Sequence, residues 1–178
     1  SAQASGVEII GDVEILWRAL AERKYVGITG TNGKSTTTAL IGHILEHARQ
    51  TVQIGGNLGT PALSLDALWA EGTYAIEMSS FQLDLTRNMS FDIAVLLNIA
   101  PDHLDRHGSM NAYIAAKRKI FRPSRLKTAV VGIDGPDSLR IYRELLLQDD
   151  LDVVPVATGR RLLDGIATNG GLLEDRGR

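Results

Sequence analysis

Tyr25-Val26-Gly27-Ile28-Thr29-Gly30-Thr31-Asn32-Gly33-Lys34-Ser35-Thr36 is the stretch from which the architecture can be read. Residues 25–29 are an apolar, β-rich run and read as a buried strand. Residues 30–33 make a tight loop. A helix is expected from Lys34 to about residue 48, with Leu40, Ile41, Ile44 and Leu45 facing inward. A strand, a Gly-rich loop and a helix in that order suit a phosphate. The glycines let several backbone N–H groups point at one anion, Lys34 supplies a point charge for the outer phosphates, and the Ser35 or Thr36 hydroxyl can ligate Mg²⁺. The strict P-loop pattern would place its first glycine at position 28, where Ile28 stands; here Gly30 lies closer to the lysine. An ordinary glycine turn is the bland alternative, but Gly33-Lys34-Ser35 in this context points to a nucleoside triphosphate of unspecified base.

Outward from that loop, apolar β-rich runs alternate with helical patterns, the sign of an α/β fold with a mostly parallel sheet flanked by helices. Residues 7–10 suit a short strand or linker. Asp12 is placed to cap a helix that shares Val13, Leu16, Trp17 and Leu20 on one face. Strands are expected at 51–54, 74–78, 93–97, 128–133 and 153–157. Gly55, Gly56 and Gly59 mark a loop, and helices are expected from Pro61 to Trp69, from Ser109 to Phe121 and over 136–147. The Gly-rich tail over 165–178 is weakly patterned, with a hairpin turn suggested at 168–171.

The bulk properties fit one α/β domain. In 178 residues, 44% are hydrophobic and 22% charged, enough to bury a core. A net charge of −2 offers no basic field for nucleic acid, and no apolar run is long enough to span a bilayer. With no cysteine, disulfides, thiolate metal sites and thiol catalysis are excluded. No secretory signal follows Ser1, so a cytoplasmic location is expected, and the missing initiator Met suggests a fragment or processed chain.

Three further side chains stand out. Glu77 ends an apolar run, where a charge is costly unless paired or bound to metal, and where ligands sit in open α/β sheets. A solvated strand-end carboxylate is the alternative. Residues 98–107, Asn-Ile-Ala-Pro-Asp-His-Leu-Asp-Arg-His, follow another apolar run, crowded with metal-capable groups that include His103. In the helix from Ser109, the inward stripe Met110, Tyr113, Ile114, Lys117, Ile120 and Phe121 contains a lysine. A buried amine shifts toward its neutral form, which can act as a nucleophile or take up CO₂ as a metal-binding carbamate; a snorkelling Lys117 with its head in water is the other possibility.

Together these strings resemble the Mur ligase family and the related folylpolyglutamate synthetases. The loop 30–36, Gly56-Asn57-Leu58-Gly59-Thr60-Pro61-Ala62, Glu77-Met78-Ser79-Ser80-Phe81-Gln82-Leu83 and residues 98–106 are similar to family segments, and Ser79-Ser80-Phe81-Gln82-Leu83 points to the D-glutamate-adding branch. The resemblance covers roughly residues 11–159. It implies peptidoglycan-precursor synthesis, with ATP phosphorylating the L-alanine carboxylate of UDP-N-acetylmuramoyl-L-alanine and the D-glutamate amine attacking the acyl phosphate. Gly30, Thr31, Asn32, Gly33, Lys34, Ser35 and Thr36 would bind ATP. Ser35 and Glu77 would hold a first Mg²⁺, His103 and a carbamylated Lys117 a second, and Asn57, Ser80 and Gln82 would lie near the UDP-sugar. On this reading Lys34, Glu77, His103 and Lys117 carry the catalysis, in a monomer without nucleic-acid or membrane partners.

In domain terms, residues 1–24 are expected to be a linker and leading helix, and residues 25–178 the ATP-binding middle domain. The family's flanking UDP-binding and D-glutamate-binding domains are not seen, nor is its Gly-x-His-Asn adenine segment, so a fragment that binds nucleotide without completing ligation is expected. Another Mur ligase or a folylpolyglutamate synthetase, a P-loop module without ligase chemistry, and a small-molecule kinase remain the rival readings.

Overall fold

Apolar runs on both faces of a strand call for cover on both sides, and that is how this chain folds. The computed structural model describes residues 5–57, 59–159 and 161–176; Leu58, Arg160 and the end of the Gly-rich tail lie outside them. The elements are α1 (Asp12–Ala19), β1 (Lys24–Thr29), α2 (Lys34–His47), β2 (Val52–Gly56), β3 (Thr73–Glu77), α3 (Ser80–Asp84), β4 (Ile93–Leu96), α4 (Leu104–His107), α5 (Met110–Arg118), β5 (Thr128–Gly132), α6 (Pro136–Leu145), β6 (Asp152–Thr158), β7 (Gly165–Asn169) and β8 (Leu172–Arg176). They build one sheet in the order β2-β3-β1-β4-β5-β6-β7-β8, parallel throughout except for the β7–β8 hairpin.

Alternate residues along each strand feed two apolar layers. Tyr25, Tyr74, Ile76, Ala94, Leu96, Ala129 and Val131 join α1, α5 and α6 in the larger core. Ile28, Ala75 and Val95 form a smaller layer with Val26, Val52 and Ile41 of α2. From β1 the chain runs outward through α2 to β2 on one side and later returns as β4 on the other. The strand order therefore reverses at β1, where an open α/β sheet leaves a crevice at the carboxyl ends of its strands. None of the described helices is long and apolar enough to cross a membrane.

Several local expectations are corrected. In α2 the buried residues are Thr38 and Gly42, while Leu40 and Ile44 are each 55% exposed. Gly42 permits close approach: a Cβ there would lie 1.9 Å from Ile54 Cδ1. The helix expected from Pro61 to Trp69 is a single 3-10 turn, Ala62–Ser64. Tyr74 explains this, since Leu68 N–H donates to its hydroxyl, which donates to Asp66 O, bonds that a continuous helix would have kept internal. The cap of α1 is Gly11, with Asp12 the first helical residue, and residues 7–10 form no strand. Gly55 and Gly56 close β2 and do not belong to the following loop. The short helices α3 and α4 were not expected. The hairpin reading is borne out: Asn169 pairs with Leu172, and Gly170 and Gly171 take φ of +57° and +80°, as a two-residue turn of this kind requires.

Candidate functional site

At the carboxyl end of β1 the backbone turns through Gly33, whose φ of +83° a residue with a Cβ rarely adopts, and enters α2. Among the described residues no side chain caps α2, and its first turn carries no acid, so its leading N–H groups and the positive end of its dipole are left for an anion. The loop is clamped from β4. Thr31 N–H and Asn32 N–H donate to Asn98 Oδ1 at 3.1 and 2.9 Å, and Asn98 Nδ2 donates back to Asn32 O. Thr31 Oγ1 accepts from Ala100 N–H at 2.9 Å and lies 3.1 Å from the Tyr113 hydroxyl. Lys34 Nζ donates to Thr31 O at 3.0 Å.

At the end of β3, Glu77 is 3% exposed. Asn57 Nδ2 donates to its Oε1 at 2.9 Å, and among the described residues no other hydrogen bond to this carboxylate and no cation beside it is recorded. A buried anion so thinly served suits a hard cation. Ser79 then caps α3 in a reciprocal box with Gln82, whose Oε1 accepts from Ser79 N–H. Ser80 is 2% exposed, and its hydroxyl meets His107 Nε2 at 2.9 Å.

Lys117 settles the snorkelling question, because it is 2% exposed. Its Nζ donates to Gly30 O at 2.8 Å and lies 4.8 Å from the centre of the Tyr113 ring. Burial, then the nearby charge of Lys34, pull its pKa down to about 7, with Asp102 opposing in part, so near neutrality much of it is free amine. His103 sits at the start of α4 with φ +51°, an uncommon conformation for a non-glycine residue. Its ring is half exposed, 3.4 Å from Asp102 Oδ2, and tilts over Phe81 at 5.0 Å.

Lys34, Asn57, Ser80, His103 and Lys117 line one cleft of about 230 Å³. Ser35 and Glu77 line a neighbouring pocket of about 270 Å³, joined to the first through the Asn57–Glu77 bond. A third hollow of about 360 Å³ lies on the other flank of the loop, between Asn32, Asn98, Asp134 and Thr158. Gln82 lines none of these three; its carbonyl oxygen serves the α3 cap. Among the described residues no three His, Asp or Glu side chains converge as a preformed metal cluster. A cation here would be completed by hydroxyl, phosphate and water oxygens, a ligand set Mg²⁺ accepts. Sequence reasoning gave no role to Asn98, Ser79, Tyr113 or His107. A polar Asn98 directly after a buried strand was a signal for the first; the others depend on packing between helices.

A sequence model described as the Mur ligase middle domain matches residues 28–156. Over 175 residues the chain is 53% identical to the UDP-N-acetylmuramoylalanine–D-glutamate ligase of Rhodospirillum rubrum, covering 98% of this chain and 37% of that protein. To the ligase of the same name from Phenylobacterium zucineum it is 45% identical over 181 residues, covering 98% and 39%. The chain thus spans less than two fifths of these relatives. Among solved structures, it superposes on a UDP-N-acetylmuramoyl-L-alanyl-D-glutamate–2,6-diaminopimelate ligase with a TM-score of 0.66 at 24% identity, over 85% of this chain and 36% of that one. On MurF ligase from Thermotoga maritima in complex with ADP the TM-score is 0.65 at 22% identity, over 87% and 38%. At such identities the superpositions establish the shared fold.

Proposed function

The chain belongs to the Mur ligase family, and from that premise we propose that it is the ATP- and magnesium-binding middle domain of a ligase that joins D-glutamate to UDP-N-acetylmuramoyl-L-alanine. Residues 25–178 make up that domain and residues 1–24 lead into it. The observation that carries the reading is the meeting of Lys34, His103 and Lys117 in one cleft, with Glu77 tied in through Asn57. The names of relatives 53% and 45% identical to the chain support the D-glutamate assignment.

The reaction must bring an anionic carboxylate against an anionic triphosphate. Gly30, Thr31, Asn32, Gly33 and the first turn of α2 hold the phosphates by backbone N–H groups, with Lys34 opposite the outer ones and the Ser35 and Thr36 hydroxyls beside them. Ser35 and Glu77, which line one pocket, would hold one cation. The Lys117 amine could add to CO₂, forming an N–C bond and releasing a proton to solvent, and that carbamate together with His103 would hold a second cation. Magnesium, when bound, supplies neutralising charge. The γ-phosphoryl group then passes to the alanine carboxylate, and the D-glutamate amine displaces phosphate from the acyl phosphate. Asn57 and Ser80 border the cleft on the side where the UDP-sugar would lie, with Gln82 behind them holding the α3 cap, whereas the hollow beside Asn98 and Asp134 would take the nucleoside.

In the full-length protein, phosphate release is expected to require ATP, UDP-N-acetylmuramoyl-L-alanine and D-glutamate together. Lys34→Ala is expected to weaken nucleotide binding about ten- to a hundredfold, the worth of one charge-assisted phosphate contact. Equal turnover with another amino acid would overturn the D-glutamate assignment, and phosphate recovered on a hydroxyl product would overturn ligation.

A further inference from the structure

The two arms assigned above to the cations leave the sheet from strands that do not touch. Glu77 ends β3 and His103 follows β4, with β1 lying between. No ladder of backbone bonds sets the distance from residues 77–80 to residues 102–107. Among the described residues one recorded hydrogen bond joins these segments: His107 Nε2 to Ser80 Oγ, at 2.9 Å.

The bond is shielded, with the His107 side chain 4% exposed and Ser80 2%. In such surroundings a hydrogen bond is electrostatically stronger and leaving either partner unpaired is costly. The His107 ring stacks on Phe81 at 5.5 Å and 19°, and packs against Tyr113 at 5.4 Å. Phe81 in turn touches the His103 ring, while Tyr113 reaches Thr31 of the phosphate loop through its hydroxyl and underlies Lys117 Nζ with its ring. The other ring nitrogen, Nδ1, faces Asp84 Oδ2 at 3.7 Å, so both nitrogens look toward α3. That helix has five residues, too few to hold its own shape in water, and needs an outside anchor. His107 does not border the cleft and takes no part in the chemistry described above.

We propose that the His107–Ser80 bond is the clamp that sets the spacing between the Glu77 arm and the His103 arm, which makes His107 a positioning residue for cooperative cation binding. The inference rests on the two-cation reading of the preceding section. It accounts for a buried serine whose hydroxyl bonds an imidazole outside the cleft lining, and for that imidazole's burial at the end of a four-residue helix.

The test uses Mn²⁺ as a paramagnetic stand-in for Mg²⁺, with the full chain, a non-hydrolysable ATP analogue and bicarbonate, and no muramoyl substrate. Free and bound Mn²⁺ are counted by electron paramagnetic resonance, and metal-free nucleotide affinity by calorimetry. His107→Phe is expected to bind metal-free nucleotide as the wild type does, and both it and Ser80→Ala to hold the second Mn²⁺ about tenfold more weakly, the usual effect of removing a partner that orients a metal site. His107→Gln, whose amide nitrogen reaches the place of Nε2, should recover part of that loss. The double variant Ser80→Ala/His107→Phe should be no worse than either single one. Ser80→Ala removes one oxygen, so it tests the clamp even where the His107 variants fail to fold. Second-site affinity within twofold of wild type in folded Ser80→Ala overturns the clamp and leaves the two-cation reading standing. A wild-type chain that takes up a single Mn²⁺ overturns that reading, and the clamp with it.

Discussion

Glu14 and Glu77 are both buried carboxylates, 0% and 3% exposed, and they are treated in opposite ways. Glu14 on α1 accepts hydrogen bonds from the backbone N–H groups of Arg87, Asn88 and Met89 and from Arg18 Nε. Burial alone would raise its pKa, but those donors outweigh it and hold the carboxyl below its ordinary value. Among the described residues Glu77 has one recorded donor, the Asn57 amide. The first acid is saturated by its own fold and ties α1 to the turn that leads into β4. The second is left short of partners beside a phosphate loop. Lys117 belongs with the second: a buried amine held by a carbonyl at 2.8 Å and a hydroxyl at 3.4 Å, with no ion pair recorded among the described residues. A buried charge whose bonds are all met is structural, and one whose bonds are missing marks where a ligand completes the set.

The contrast breaks first at Glu14. Glu14→Ala is expected to cost about 3–5 kcal/mol, because three backbone donors and Arg18 lose their acceptor together. Denaturant unfolding measures it, and a loss under about 1 kcal/mol would erase the distinction.

Next in size, Lys117→Met should stabilise the chain by about 2–3 kcal/mol at pH 6. The direction follows from protons bound. The folded lysine titrates at about 7 and the unfolded one near 10.5, so between those values the unfolded state holds the extra proton and stability rises with pH. Below pH 7 both states are protonated and the full burial cost is present. The advantage of Lys117→Met should therefore be greatest below pH 7 and vanish toward pH 10.5. A pH-independent difference would show that the amine is not neutral in the folded chain.

Glu77→Gln should change stability by less than about 1 kcal/mol, since the amide keeps the size and the Asn57 contact while shedding an under-served charge. It should nevertheless abolish nucleotide-dependent Mn²⁺ binding, read by the same resonance experiment. The smallest effect sharpens the reading of α2. Leu40→Gln, on a face that apolar periodicity would have buried, should fall within about 0.5 kcal/mol of wild type by thermal unfolding.

Much of this was legible in the residues. The strand–loop–helix of residues 25–48 was, because an apolar run, two glycines and Lys34-Ser35 each demand the same arrangement. So was the stripe holding Lys117: Tyr113, Ile114, Lys117, Ile120 and Phe121 are all buried. On α2 the apolar pattern holds for Ile41, which packs on the core, but fails for Leu40 and Ile44, because Gly42 wins the contact with β2 by having no side chain. The segment after Pro61 was misjudged because its backbone bonds go to Tyr74, a partner that no local pattern announces. Asn98 begins the metal-capable string of residues 98–107, yet its clamp on residues 31 and 32 spans 67 and 66 positions of sequence.

By itself the sequence determined the alternation of strands and helices, the phosphate loop and the presence of a lysine on an apolar stripe. Period and glycine placement are local properties, set by backbone sterics and by which face of an element meets water. Only the tertiary structure decided that Lys34, His103 and Lys117 share a cleft, that Glu77 is short of partners where Glu14 is not, and that His107 bonds Ser80 across two non-adjacent strands. Those are matters of distance between residues far apart in the chain, and they are fixed by how the sheet orders its strands, which no window of the sequence contains.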